Sequence, residues 1–180
     1  MNMPGMNQII ICGLDSAGKT TILRFIESGE FVQTARTMGF NVNSIMIRDL
    51  SIRVFDMGGQ ESFRSMWKEH LPLAKAIVFV IDSALPERFD EAKQEFQENV
   101  LAHAQKDTPI LILTNKQDLE EASPSIDVVK ALGIYGNERH YDVIETSAVT
   151  SEGLFEAGVW IYEKITNSAY PKPDPFEGLI

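Results

Sequence analysis

Eight consecutive residues, Gly13-Leu14-Asp15-Ser16-Ala17-Gly18-Lys19-Thr20, fit the pattern G-x-x-x-x-G-K-[ST]. Such a loop turns its backbone N–H groups inward around phosphate oxygens, and a side chain at Gly13 or Gly18 would obstruct that path. Lys19 would reach the β- and γ-phosphates as a point charge. The Thr20 hydroxyl would coordinate Mg²⁺, and Asp15, Ser16, Ala17 and Thr21 would complete the phosphate-facing stretch. The helix that follows, apolar at Ile22, Phe25 and Ile26, adds the partial positive charge of its N-terminus. The loop alone leaves the nucleotide open, because kinases and ATPases share it.

Asn115-Lys116-Gln117-Asp118 narrows the choice. It follows an apolar strand, and ligands of open α/β sheets bind beyond the carboxyl ends of strands, where Gly13 also lies. The Asp118 carboxylate can accept two hydrogen bonds from guanine, N1–H and the exocyclic amine, which adenine does not offer in that arrangement. A site built for those bonds rejects an analogue lacking them by a large factor. Lys116 can lay its stem over the base while Asn115 ties this loop to the phosphate loop. Thr146-Ser147-Ala148, after the next strand, can present a backbone N–H to guanine O6. Together these segments favour GTP over ATP.

A third group suits hydrolysis. Asp56-Met57-Gly58-Gly59-Gln60 would hold the Mg²⁺ shell through Asp56, by way of water, and give the Gly59 N–H to the γ-phosphate. Gln60 would orient the attacking water. Thr37, in an aperiodic stretch after Gly29, could complete the metal site only with GTP bound, the behaviour of a segment that orders around a γ-phosphate. No built-in arginine finger is expected. Arg36 and Arg64 read as solvated surface charges, so unaided hydrolysis should be slow, with a partner supplying positive charge.

The elements that must position these residues alternate, which predicts an α/β fold with a mostly parallel sheet. Gln8–Cys12, Ala76–Ile81 and Ile110–Leu113 read as strands buried on both faces, and Tyr141–Thr146 as a shorter one. Val42–Ile47 and Leu50–Phe55 alternate with period two around a turn at Arg48-Asp49, an antiparallel edge hairpin that brings the total to six strands. Pro86 opens a helix whose inner face carries Phe89, Ala92, Phe96 and Val100. Ser123-Pro124 reads as a cap with a first-position proline. The last helix starts near Ser151 and buries Leu154, Ile161, Tyr162 and Ile165. Residues 1–168 form one expected domain, and the proline-rich 169–180 an extended or disordered tail.

Composition sets the outer limits. A net charge of −10 over 180 residues argues against a nucleic-acid surface and against unaided binding to anionic lipid. The single cysteine, Cys12, excludes an intrachain disulfide and suits a reducing compartment. Neither a secretory signal nor a membrane-spanning run is evident. Asn2 stands where myristoylation needs glycine, and the final Glu177-Gly178-Leu179-Ile180 has no cysteine to prenylate. The expectation is a cytoplasmic monomer without an intrinsic lipid anchor.

The motifs Gly13–Thr21, Thr37-Met38-Gly39-Phe40-Asn41, Asp56–Gln60 and Asn115-Lys116-Gln117-Asp118-Leu119 together resemble the ADP-ribosylation factor (Arf) and Arf-like family, over roughly residues 7–167. The Gly-Leu-Asp start and the double glycine before Gln60 separate this pattern from the Ras and Rab types. The resemblance implies a small GTPase G domain that cycles between GDP and GTP. An exchange factor turns it on and a GTPase-activating protein turns it off. The resemblance also implies a hairpin, Asn41 to Phe55, that shifts register between states. It further implies an effector surface of three aromatic positions, matched here by Phe40, by Phe55 in place of the usual tryptophan, and by His70 near the third. Arg36 stands where the family commonly has proline. About seven residues precede the first strand, too few for the family's N-terminal amphipathic helix. Membrane attachment, if any, would then need a partner or a further part of the protein. A GTP-bound module that does not hydrolyse is the rival reading, although Lys19, Thr37 and Gln60 are all present.

Overall fold

A computed structural model describes residues 7–134, 139 and 141–171. Among them six strands form one sheet: β1 (Gln8–Cys12), β2 (Phe40–Ile47), β3 (Leu50–Met57), β4 (Ala76–Asp82), β5 (Ile110–Asn115) and β6 (Tyr141–Glu145). Their order is β2-β3-β1-β4-β5-β6. Every pairing is parallel except β2–β3, the edge hairpin, in which Ile47 faces Leu50 across the Arg48-Asp49 turn.

The strands are apolar on both sides because both sides are covered. Ile9 and Ile11 of β1 point into one core with Ile22, Leu23, Leu154, Ala157 and Ile161, beneath α1 (Lys19–Ser28) and α6 (Leu154–Thr166). Ile10 and Cys12 point the other way, joining Phe79, Phe89, Phe96, Val128 and Leu132. That face is covered by α4 (Phe89–Glu95), which continues into a π-helical turn at Phe96–Leu101, and by α5 (Ser125–Leu132). The inner residues expected of the Pro86 helix, Phe89, Ala92, Phe96 and Val100, are all buried, behind a 3₁₀ turn at Pro86–Arg88. In β3, Ile52 and Val54 are buried while Ser51 is exposed, as the alternation requires.

Three local features differ from the sequence reading. Residues 61–73 fold as two single-turn helices, α2 (Glu61–Arg64) and α3 (Trp67–His70), followed by a 3₁₀ turn at Leu71–Leu73. Ser123 does not cap α5. Its N–H is committed to the Ser83 carbonyl, and the Glu145 carboxylate at the end of β6 accepts the Ser125 N–H at 3.0 Å instead. A carboxylate there satisfies a free N–H and complements the helix dipole. Finally, α6 starts at Leu154, after a turn at Ser151–Gly153.

Tyr170, the start of the proline-rich segment, packs its ring 5.2 Å from Tyr162 and 5.9 Å from Phe155, with the Arg48 guanidinium 5.0 Å above it. Residues 172–180, on which most of the tail expectation falls, lie outside the described residues, as do 1–6. No helix of the described residues is long and apolar enough to cross a membrane.

Phe96 has no exposed surface, and its ring lies 4.9 Å from Phe79 between sheet and helix. Replacing it with alanine leaves a cavity the sheet cannot collapse into. F96A should lose about 3–5 kcal/mol of stability, measured by urea denaturation.

Candidate nucleotide-binding site

The carboxyl ends of β1, β3, β4 and β5 converge on a cavity of ≈ 450 Å³, lined among others by Asp15, Ser16, Gly18, Lys19, Thr20, Thr21, Thr37, Gly59, Gln60, Asn115, Lys116, Asp118 and Ala148. The size suits a small-molecule ligand, and the position is the one this topology favours. Phosphate loop and base loop are tied by one side chain. Asn115 donates from Nδ2 to the Ala17 carbonyl at 2.8 Å and accepts at Oδ1 from the Thr146 hydroxyl at 3.1 Å. Gly18 has φ of 100°, and a Cβ there would run into that Asn115 amide. Ala17, buried, therefore serves the site through its carbonyl and does not line the cavity.

At the base end, Ser147 donates to Asp118 at 2.6 Å, which fixes the carboxylate. The Ser147 N–H is committed to the Glu152 carbonyl, so Ala148 is the member of the pair that faces the cavity. Lys116 forms an ion pair with Asp82 at the end of β4, which lays its stem along the cavity wall. Phe31 and Leu119 also line this end. Leu119 closes the base-loop motif read in the sequence, whereas Phe31 lies in an aperiodic stretch that gives no signal.

At the phosphate end, Lys19 is buried and donates to the carbonyls of Gly13 at 3.0 Å and Leu14 at 2.7 Å. Burial lowers its pKa to about 8 against the pull of Asp56. A phosphate group would restore the compensating charge. Beneath the loop, burial pushes the Cys12 thiol up to about 12, so it stays protonated and inert.

Thr20, Thr37 and Asp56 meet. The Thr20 hydroxyl donates to Asp56 Oδ2 at 2.6 Å, and the Thr37 hydroxyl lies 2.9 Å from Thr20 and 3.4 Å from the same carboxylate oxygen. Asp56 is fully buried, its pKa raised by burial, and its Oδ1 has no partner. Two hydroxyls and a carboxylate with a buried oxygen left over form a hard oxygen donor set, which fits Mg²⁺. Thr20 and Thr37 would hold the ion and Asp56 would anchor its water shell. The ion would neutralise charge between the β- and γ-phosphates. Thr21 donates to or accepts from Thr34 at 2.9 Å, a second stitch between α1 and the aperiodic segment.

The expectation of a solvated Arg64 is overturned. Its side chain is 6% exposed, donating from Nε to the Gly59 carbonyl at 2.8 Å and pairing with Glu91 at 2.6 Å and Glu95 at 3.0 Å. The reason is non-local: the two acids lie on α4 and face α2 across the sheet end. Arg88, also unnoticed in the sequence, donates to Asp15 Oδ1 at 2.8 Å and to Glu91 at 2.9 Å. The hydrogen bond from Arg88, with that from Arg64, holds Glu91 below the usual carboxylate range. For Asp15, burial works upward, but the Arg88 hydrogen bond and the charges of Arg88 and Arg36 prevail and lower its pKa. Arg36 is the solvated charge expected, 65% exposed and 3.9 Å from Asp15. Gly59 lies against the phosphate loop so closely that a Cβ would collide with the Leu14–Asp15 backbone.

Phe40, Phe55 and His70 are brought together, with ring centroids 4.9 Å (Phe40–His70), 5.0 Å (Phe55–His70) and 6.0 Å (Phe40–Phe55) apart. Phe55 is only 7% exposed, lying under the other two and under the Arg53 guanidinium.

The phosphate loop, the Asn115–Asp118 motif beside it and the Thr20–Thr37–Asp56 oxygen cluster, at one end of a mostly parallel sheet, fit a P-loop GTP-binding protein. The sequence profile of the ADP-ribosylation factor family matches residues 3–165. Two similar proteins of Dictyostelium discoideum, ADP-ribosylation factor K and ADP-ribosylation factor J, are each 37% identical over 161 residues, covering 89% of this chain and 86% of theirs. The Arl6 BBS3 small GTPase from Trypanosoma brucei, solved with the nucleotide analogue GppNp, superposes with a TM-score of 0.82 at 26% identity, covering 92% of this chain and all of that one. The chain belongs to the ADP-ribosylation factor family of small GTPases.

Arg64→Ala would remove a guanidinium from between Glu95, the Gly59 carbonyl and Glu91. R64A should lower stability by about 1–3 kcal/mol in chemical denaturation, the cost of taking a buried, charge-assisted donor away from three acceptors at once.

Proposed function

We propose that the chain is a GDP/GTP switch that hydrolyses GTP and whose first switch segment closes on a nucleotide-bound Mg²⁺ ion. The observation that carries this reading is the position of Thr37, whose hydroxyl stands 2.9 Å from that of Thr20 and 3.4 Å from Asp56. A threonine from an otherwise irregular loop has reason to meet those two oxygens only if a cation is to be shared among them. That loop's order is then tied to the γ-phosphate, the usual logic of a phosphate-sensing segment.

In hydrolysis the Gln60 carboxamide, at the cavity rim, orients the water that attacks the γ-phosphorus in line with the departing GDP. Lys19 and the Gly59 N–H hold the γ-phosphate, and Arg64 fixes the peptide between Gly59 and Gln60 by donating from Nε to the Gly59 carbonyl. A GTPase-activating protein speeds this step and an exchange factor reopens the site. The effector reads the state at Phe40 and His70, supported by Phe55, with Met38 (71% exposed) and Val42 (42% exposed) extending the apolar area alongside. The setting is regulation of the membrane-traffic kind, carried out from the cytoplasm, with membranes reached through a partner.

Two substitutions test the reading. D118N exchanges an acceptor for a donor opposite guanine N1–H and should move preference from guanine to xanthine nucleotides; unchanged guanine selectivity in competition binding would remove Asp118 from the base site. Q60L should slow single-turnover phosphate release from GTP-loaded protein by about 10²-fold or more while leaving nucleotide affinity alone. Equal rates would take the hydrolytic role from Gln60.

A further inference from the structure

Among the described residues Arg36 is the single arginine lining the nucleotide cavity, which it shares with Lys19, Gly59 and Gln60. It precedes Thr37, whose hydroxyl is already within 2.9 Å of Thr20. Its guanidinium lies 3.9 Å from Asp15 Oδ2. Asp15 in turn is in backbone contact with the residue before Gln60, its N–H donating to the Gly59 carbonyl at 3.1 Å. These contacts set the Arg36 guanidinium beside the junction of Asp15 and Gly59, in the cavity that Gln60 also lines.

The other two arginines nearby cannot take part. Arg64 is buried and committed to Glu91, Glu95 and the Gly59 carbonyl. Arg88 is committed to Asp15 and Glu91. Arg36 alone is loosely held. Among the described residues its one ion pair is long, its side chain is 65% exposed, and the Asp15 carboxylate is already satisfied by Arg88 at 2.8 Å. An exposed pair of that kind contributes little, so leaving it costs little.

We propose that Arg36 supplies, from the switch segment of the same chain, a guanidinium that contacts the γ-phosphate oxygens in the transition state of GTP hydrolysis. Charge spreads over those oxygens as the bond to the leaving GDP lengthens, and a planar fork of donors matches them better than a point charge does. GTPases draw such a group either from their own chain or from a partner. Arg36 is a partial form of the first solution: it sets the rate without a partner and leaves room for further acceleration. The inference rests on the reading of this cavity as a GTP-hydrolysing site.

The test uses the full chain, wild type beside R36A and Q60L. In single-turnover hydrolysis without a partner, R36A should be at least about tenfold slower than wild type, with GDP affinity unchanged within about twofold. A second readout is independent of turnover. GDP with aluminium fluoride, a mimic of the transferring phosphoryl group, should raise the melting temperature of wild type above that with GDP alone, and should fail to do so for R36A. A wild-type rate in R36A, or aluminium fluoride stabilisation retained by it, overturns the proposal. If Q60L is slow while R36A is not, the role of Arg36 falls and the hydrolytic site stands. If the wild type binds no guanine nucleotide, both fall.

Discussion

The carbonyl oxygen of Gly59 receives two donors from separate parts of the chain, the backbone N–H of Asp15 at 3.1 Å and Nε of Arg64 at 2.8 Å. One comes from the phosphate loop and the other from the short helix after β3. The oxygen thus ties the Gly13–Thr20 loop to the segment that carries Gln60. The peptide it belongs to runs from Gly59 to Gln60, so the two donors together fix where Gln60 begins. Because Arg64 is anchored in turn by Glu91 and Glu95, the orientation of one peptide is referred back to α4 and to the core beneath it. The Gly59–Gln60 peptide is thereby coupled to the packed body of the protein through charge-assisted hydrogen bonds rather than through a loose loop.

The parts of the site visible in the sequence are those whose chemistry demands a fixed residue at a fixed local spacing. Lys19 next to Thr20, the two glycines before Gln60, and Asp118 three residues after Asn115 all obey such demands, and each is found at the cavity or directly supporting it. The sheet was equally readable, since strands buried on both faces leave unbroken apolar runs. What stayed hidden depends on partners distant in the chain. Nothing near Arg64 announces that acids 27 and 31 residues later will close over it. Nothing near Ser123 reveals that Glu145 will take over the N-terminus of α5. Ser147 looked like a base contact, yet its hydroxyl serves Asp118 and its N–H serves the backbone.

The aromatic trio shows the same division. Phe40 and Phe55 belong to neighbouring strands and His70 to a separate helix, so their meeting is a product of topology. Their types were readable, but their unequal exposure was not. A side chain at Phe55 lies where the hairpin crosses β1 and α3, and it acts as a floor on which the other two rest.

The edge hairpin carries a further consequence in its parity. β3 is the seam between the antiparallel pair and the rest of the sheet, matched to β1 through Arg53–Gln8, Val54–Ile9, Phe55–Ile10 and Asp56–Ile11. Ile52 and Val54 face one core and Phe55 and Met57 the other, so a slip of one residue would turn Phe55 and Met57 toward the wrong core and bring Ser51 and Arg53 into the place of Ile52 and Val54. Any sliding of this hairpin along β1 is confined to whole pleats, two residues and about 6.6 Å at a time. Each such stride would carry Arg48 at the far tip off the ring of Tyr170. A slide of this edge would therefore run like a ratchet with coarse teeth, from one whole-pleat register to the next.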